Sequence, residues 1–120
     1  MKMVVDAVRE KALELADAIL QLEEYREFVE MEQKLREDEN AQQLLVEFQR
    51  KQQDFVTKQM SGEFDQELLN ELTEIQSKLN AMESVINFIE AYNRLLAVLG
   101  EIVDLISERI NLDLSEVYRH

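Results

Sequence analysis

The chain has 120 residues, about the size of one domain, with 46% hydrophobic and 32% charged residues, two glycines and no proline. This composition favours helix and gives turns little material, so we expect an all-α fold with one core, spanning residues 1–120 as a single domain. The formal net charge of -13 repels phosphate backbones and anionic lipids, which disfavours direct binding to nucleic acid or to a membrane.

The sequence has no cysteine, which excludes disulfides, thiolate nucleophiles and cysteine-ligated zinc or iron–sulfur clusters. Its first residues, MKMVVDAVREKAL, carry charges within the apolar stretch and lack the apolar core of a signal peptide. The most apolar run, residues 95–106, is too short to cross a bilayer and contains two acids. We therefore expect a cytoplasmic protein that does not bind membranes.

Hydrophobic residues at intervals of three and four predict a first helix at about 3–21 and a second at 23–37. The apolar positions of the first helix are Val5, Val8, Ala12, Leu15, Ile19 and Leu22. Glutamate and lysine lie between the apolar positions of the second helix, which predicts one solvated face. Both segments are therefore expected to be amphipathic.

Asp38 has the character of an N-cap, because its carboxylate can accept hydrogen bonds from the free backbone N–H groups of the next turn. A third helix is therefore predicted at 39–61. Its inward face begins apolar, as at Phe48, and becomes partly polar at Gln52 and Gln59. These two glutamines either lie at the edge of the face and meet water or form a buried amide pair.

The segment KQMSGE, residues 58–63, places Gly62 just beyond the last periodic position of the third helix. A glycine in this position commonly adopts the positive φ that closes a helix. Asp65 is placed to cap a fourth helix at 65–80, and Phe64 before it to form a hydrophobic staple. The pattern predicts a tight corner between two helices, since a phosphate-binding loop would need more glycines and a Lys-Ser or Lys-Thr pair.

The second half of the chain has the most regular hydrophobic pattern, with alternating steps of four and three that are typical of a left-handed supercoil. These positions are Leu68, Leu72, Ile75, Leu79, Met82, Ile86 and Ile89. The apolar line then resumes one residue early, at Tyr92, Leu96, Leu99, Val103, Ile106 and Ile110. The shift indicates either local overwinding or a break between helices, and a break at 80–84 is the alternative. We predict helices at about 65–80 and 82–111, and hence an antiparallel bundle of four to five helices.

The last helix is apolar over well over half of its circumference, which requires cover on more than one side. The bundle can cover one side, and we expect a second copy of the chain, or another protein, to cover the other; a homodimer is the first expectation. Gly100 costs the helix about 1 kcal/mol relative to alanine unless a close backbone contact compensates. The candidate contact residues are Phe88, Tyr92, Leu95, Leu99, Gly100, Ile102 and Ile106, with Met60 and Phe64 at the corner.

Residue types suited to catalysis or cofactor binding are scarce. The single histidine is the last residue, His120, so neither a catalytic triad nor a histidine-containing di-iron site is expected. Carboxylate pairs such as Glu67 and Glu71 are expected to be solvated helix faces in a chain with 26 acids, and weak binding of divalent cations by them stays open. We predict no enzyme, no catalytic residue, no cofactor and no metal site.

Three segments together resemble the YlbF/YmcA family of small helical proteins: DENAQQLLVEFQRKQ (38–52), KQMSGE (58–63) and VINFIEAYNRLLAVLGEIVDLI (85–106). The resemblance extends over about 16–110. Its motifs are helix caps and apolar positions, so it specifies the fold more closely than the role. It implies an antiparallel helical bundle, often dimeric, that acts without catalysis.

The resemblance also implies a regulatory role. Members of the family are linked to control of competence, sporulation and biofilm formation, through a complex of related proteins that engages an RNA-processing endonuclease. The best-studied branch has cysteines that ligate an iron–sulfur cluster, and because this chain has none, neither the cluster nor membership of that complex is carried over. The ending LDLSEVY (112–118) is closer to the cysteine-free branch of the family.

Two functions are therefore expected. The first is that of a regulatory or adaptor protein that presents a helical surface to a protein partner. The alternative is a structural or chaperone-like dimer whose acidic cavity shields client proteins. Stoichiometric capture of one partner would favour the adaptor, and weak capture of many clients would favour the chaperone.

Overall fold

The computed structural model describes residues 5–117. These residues form six α-helices and no β-strand: α1 (Asp6–Leu20), α2 (Glu23–Glu37), α3 (Glu39–Met60), α4 (Gln66–Asn80), α5 (Glu83–Ile110) and α6 (Leu114–Val117). The predicted all-α helical bundle is confirmed, and the ends of the five long helices that lie in the described range fall close to the expected ones. The predicted start of the first helix at residue 3 and the terminal His120 lie outside the described residues.

The helices divide into two compact units. The hairpin unit is residues 31–90, with the end of α2, all of α3 and α4, and the start of α5. The terminal unit is the described residues 5–30 and 91–117, with α1, the start of α2, the rest of α5, and α6. The helices α2 and α5 therefore contribute residues to both units.

The core of the hairpin unit lies where α3 and α4 pack together. The first four positions of the predicted heptad line, Leu68, Leu72, Ile75 and Leu79, are buried. Ala41 at the start of α3 and Val85 at the start of α5 are buried in the same cluster as Ile75 and Leu79. Because full burial of one such leucine or isoleucine contributes roughly 1.5–3 kcal/mol, this row is the main source of stability of the unit.

Asp38 links the start of α3 to the start of α5. One carboxylate oxygen, Oδ1, accepts the backbone N–H of Ala41 at 3.1 Å, which confirms the predicted N-cap. The other, Oδ2, accepts the hydroxyl of Ser84 at 2.6 Å. These hydrogen bonds, with that from Ser84 the strongest influence, lower the pKa of Asp38 from its ordinary value. The carboxylate thus stays ionised and fixes two helix starts at once.

Gly62 ends α3 as its position predicts. Its φ of +84° lies in the left-handed region. The N–H of Gly62 donates to the carbonyl of Gln59 at 3.0 Å, and the N–H of Glu63 donates to that of Lys58 at 2.9 Å. These two bonds form a Schellman motif, so the corner is a closed helix end.

The chain turns between α4 and α5 at Ala81 and Met82. The N–H of Met82 donates to the carbonyl of Leu79 at 3.1 Å, and α5 begins at the following residue. Of the two places at which the sequence allowed a break, the structure therefore has the earlier one. From Glu83 to Ile110, α5 is continuous through the shift in the hydrophobic line.

The heptad line does not stay buried past this turn. Ile86 and Ile89 are exposed, whereas Val85 is buried and Phe88 is half-buried. The turn at Ala81 interrupts the register, so the buried face of α5 starts from a different position than the heptad spacing of α4 predicts.

In the terminal unit, α2 contacts α5 through two pairs of side chains. The carboxylate of Glu27 forms an ion pair with the guanidinium of Arg94. The rings of Phe28 and Tyr92 lie 5.8 Å apart with a tilt of 40°. These contacts place the start of α2 against the part of α5 around Tyr92 and Arg94.

Asn111 ends α5 with a φ of +59°, a conformation that asparagine tolerates better than most residues. The backbone N–H of Leu112 donates to the carbonyl of Ser107 at 3.0 Å, and the N–H of Leu114 donates to its hydroxyl at 3.0 Å. Ser107 thereby closes α5 and positions the short α6, which the sequence pattern did not predict.

Candidate protein-interaction site

From Ala91 to Ile110, α5 has two neighbouring apolar faces. One packs within the protein, with Ala91 and Leu95 buried and Val98 and Ile102 half-buried. The other lies about a quarter of a turn away, at 100° per residue, and consists of Tyr92, Leu96, Leu99, Val103, Ile106 and Ile110. We call this second set the open face.

The open face is only partly covered by the rest of the chain. Four of its side chains are exposed, with exposed fractions from 37% for Ile106 to 53% for Ile110; the other two of these four are Tyr92 and Leu96. Leu99 and Val103 are half-buried. None of these six side chains is charged. The apolar surface of α5 is therefore wider than the described chain can cover, as the hydrophobic pattern predicts.

Helix α1 adds to the uncovered apolar surface of the same unit. None of its residues is buried, and Val8, Leu13, Leu15 and Leu20 are all exposed. Among the described residues of the terminal unit, only Ala91 and Leu95 are buried. Both long helices of this unit thus retain apolar side chains in contact with solvent.

The contact candidates in α5 differ in accessibility. Tyr92, Leu99 and Ile106 belong to the open face. Leu95, at 7% exposure, belongs to the buried face, and Ile102 is half-buried on the same side. Of these five candidates, Tyr92 and Ile106 are thus exposed on one surface, and Leu99 lies half-buried between them along the helix.

Phe88 is half-buried and belongs to the hairpin unit. Gly100 is exposed at the edge of the open face. A Cβ atom added there would meet no other atom within 4 Å. Nothing in the described protein therefore requires glycine at this position.

The corner presents Met60 and Phe64 to solvent. Met60 is 84% exposed and Phe64 is 60% exposed. The ring of Phe64 packs edge-on against Phe55, with centroids 5.7 Å apart and an angle of 77° between the planes. Phe64 is thus anchored on one side and open on the other, which suits an aromatic contact residue.

An ion pair fixes the position of Phe64 by holding the residue that follows it. Lys58 Nζ donates to Asp65 Oδ2 at 2.7 Å, while Asp65 Oδ1 accepts the backbone N–H of Leu68 at 2.9 Å and so caps α4. The ammonium of Lys58, followed by the Leu68 N–H, lowers the pKa of Asp65. Asp65 in turn raises the pKa of Lys58. Both groups are therefore charged at neutral pH.

A groove runs along α3 and α4, and the sequence pattern did not predict it as a binding surface. It is lined by ten uncharged residues, which we call the uncharged flank: Phe48, Gln52, Phe55, Val56 and Gln59 of α3, and Leu69, Leu72, Thr73, Gln76 and Ser77 of α4. Gln52 and Gln59 are exposed along it, so the edge position considered for them is the one observed. The signal in the sequence was the lack of charge on one side of two adjacent helices.

Two further properties of the described chain bear on the site. Within residues 5–117, no three or more histidine, aspartate or glutamate side chains are grouped so as to hold a metal ion. In the same range, no helix combines the length and the hydropathy that crossing a bilayer needs.

Comparison with known proteins gives a family and a solved structure. The model of a family described as control of competence regulator ComK, YlbF/YmcA, matches residues 8–111. The crystal structure of Bacillus subtilis RicA in complex with RicF is similar, with a TM-score of 0.74 and 26% identity, and covers 94% of this chain and 97% of that chain. No curated protein matches the sequence.

The pKa of Asp65 predicts a dependence of corner stability on acid. Because its pKa is lower in the folded state than the ordinary 3.8, the ionised carboxylate stabilises the fold fully above that value, and the effect is lost as pH falls through the folded-state pKa. Asp65→Asn retains a capping side chain but has no charge to lose. We expect the difference in free energy of unfolding between wild type and Asp65→Asn to shrink from about pH 5 to about pH 2.

Urea denaturation followed by circular dichroism at each pH measures this difference. In the background Lys58→Gln, where the ammonium is missing, the pH dependence of the difference should be smaller. A difference that stays constant across the acid range would contradict the role of the ion pair.

Proposed function

The chain belongs to the YlbF/YmcA family, and we propose that it is a non-catalytic adaptor that regulates other proteins by binding them through helix surfaces. The observation that carries the proposal is the open face of α5, an uncharged apolar surface that is only partly covered and lies beside a face of the same helix that packs within the chain. The family description as control of a competence regulator, and the solved relative crystallised as a complex of two different proteins, support a role in protein–protein regulation.

A second copy of the chain is the proposed occupant of the open face. The net charge of -13 opposes contact between two copies, so a surface without charges is where they can approach at least cost. In a two-fold dimer the same face meets itself, and a face of leucine, isoleucine, valine and tyrosine is complementary to another such face.

The energetics favour including α1 in this contact. Four side chains of the open face, Tyr92, Leu96, Ile106 and Ile110, are 37–53% exposed. Completing the burial of one such side chain contributes roughly 1 kcal/mol, so these four on each of two copies contribute roughly 8 kcal/mol. Association itself costs on the order of 4–15 kcal/mol. The open face alone is therefore marginal, and the exposed apolar residues of α1 in the same unit supply the additional area.

The corner is the proposed contact for the regulated protein. Its two exposed hydrophobic residues, Met60 and Phe64, belong to the hairpin unit, whereas the proposed dimer contact belongs to the terminal unit. An anchored aromatic ring beside a flexible methionine provides a contact that can fit another protein with little loss of entropy. One copy can thus use different residues for its twin and for its partner.

The process that we propose for this adaptor is bacterial cell-fate regulation in the cytoplasm. Competence is the process named in the family description, and sporulation and biofilm formation are the related processes implied by the resemblance. The proposal assigns the chain no reaction, no cofactor and no nucleic-acid ligand.

Leu96→Glu should convert the dimer to a monomer, because it places a carboxylate in the middle of the open face on both copies. The matched control is Ala97→Glu, which adds the same charge at the next position, on an exposed side of α5 away from the open face. Size-exclusion chromatography with light scattering at micromolar concentration measures the mass. A monomeric wild type, or a dimeric Leu96→Glu, would exclude the proposed dimer contact.

Phe64→Ala should reduce capture of the partner protein more than it lowers the melting temperature, since only one side of the ring packs on Phe55. Affinity capture from lysate of the source organism, read by mass spectrometry, should retain one stoichiometric partner with wild type and much less of it with the variant. The control Phe55→Leu removes the supporting ring and should lower stability as well. Many weakly retained proteins would instead favour a chaperone, and equal loss of capture and stability would make Phe64 a structural residue.

A further inference from the structure

The two sides of the α3–α4 pair differ in charge. On one side, ion pairs join the helices: Lys51 to Glu71 at 2.9 Å and Lys58 to Asp65 at 2.7 Å. On the other side lies the uncharged flank, where all ten lining residues are neutral. Four of these residues are neutral because they are buried or half-buried: Phe48, Phe55, Leu69 and Leu72. The other six are exposed, and at the average charge content of the chain, 32%, about two of six would be charged. The lack of charge at the exposed positions is therefore a feature that packing does not require.

The flank has the composition of an interface centre. Its apolar part consists of Phe48, Phe55, Val56, Leu69 and Leu72, and the amides and hydroxyls are those of Gln52, Gln59, Thr73, Gln76 and Ser77. Lack of charged residues together with aromatic side chains distinguishes the buried centre of protein interfaces from the remaining surface. Neutral amides are also much less costly to remove from water than carboxylates or ammonium groups.

We infer that the uncharged flank binds the same flank of a second copy of the chain. Each glutamine amide has donors and an acceptor, so a flank rich in glutamine can hydrogen-bond to itself across a two-fold axis. A partner of opposite charge would be bound better by the acidic surface that makes up much of the protein. A second copy is repelled by that surface, and a neutral site is what it needs.

The flank contact joins one dimer to another. This part of the inference rests on the proposed function, in which the contact that forms the dimer lies in the terminal unit. Ten lining residues are fewer than the 20–30 residues on each side of a typical stable interface, so the association is weak and needs high protein concentration. Because the two contacts use different surfaces of each chain, together they link four chains or more.

Gln52→Glu tests the contact with a near-isosteric change, and Gln43→Glu is the matched control. Both glutamines are exposed on α3, and Gln43 lies outside the flank. Sedimentation velocity over a concentration series should show wild type and Gln43→Glu growing beyond the dimer. Gln52→Glu should require at least a tenfold higher concentration to do so, because two carboxylates then face each other across the axis.

Salt separates this neutral contact from an ion-paired one. Raising sodium chloride from about 10 mM to about 150 mM shortens the screening length from roughly 30 Å to roughly 8 Å, which weakens repulsion between the acidic chains. The growth beyond the dimer should therefore become stronger with salt. Growth that weakens with salt, or growth that is equal in Gln52→Glu and wild type, would overturn the inference.

Two further outcomes overturn it, and one combination distinguishes it from the dimer proposal. A wild type whose mass does not rise with concentration overturns it, and so does a Gln52→Glu protein that keeps wild-type mass but loses a protein partner, since the flank then serves that partner. The Leu96→Glu protein tests the flank contact without the dimer contact. If it still associates at high concentration, and if adding Gln52→Glu abolishes that association, the result supports the flank contact independently of the dimer proposal. If wild type and Leu96→Glu have equal mass at low concentration while this association persists, the dimer proposal fails and the flank contact stands.

Discussion

The apolar surface of α5 is the constraint on which the rest of the protein depends. This helix of 28 residues contributes Val85 to the core of the hairpin unit and Ala91 and Leu95 to the terminal unit. Neither unit has another buried helix of comparable length. A helix that serves both units needs an apolar surface broad enough for each, and in the terminal unit that breadth exceeds what the described chain can bury. The excess is the source of the proposed association.

The distribution of charge complements this constraint. Ion pairs across α3 and α4 lie at the surface, where such pairs contribute little stability, so the buried row of α4 must supply most of it. The charges instead keep the chain soluble and repel other copies of it. Surfaces without charge, namely the open face of α5 and the uncharged flank, are then the places where contact between copies is least opposed. Specificity of association thus comes from where charge is missing.

The sequence predicted the helices well because their ends are set by local chemistry. Asp38, Gly62 and Asp65 act within one turn of their own positions, so their roles follow from residue type and neighbours alone. The buried row of α4 was equally predictable, since its residues fall on one side of a single helix. What failed was the extension of that row past Met82, because a turn of two residues resets which face of the next helix points inward.

The candidate site was less predictable for a related reason. The sequence of α5 shows that the helix has more apolar surface than one packed face needs. Which of its residues are accessible depends on the neighbouring helices: Leu95 is buried, whereas Leu96 is exposed. The uncharged flank was missed because it is shared by two helices that no single periodicity connects. The exposed hydrophobic residues Met60 and Phe64 were identified from the sequence, since both lie within two residues of Gly62, where α3 ends.

Amide hydrogen exchange of the unmodified protein, compared at two protein concentrations about a hundredfold apart, tests directly whether a second copy covers the open face. We expect slower exchange in α1 and in residues 91–110 at the higher concentration, because a second copy then covers these segments. Exchange in α1 and α5 that is the same at both concentrations, in a protein of monomeric mass, would contradict it.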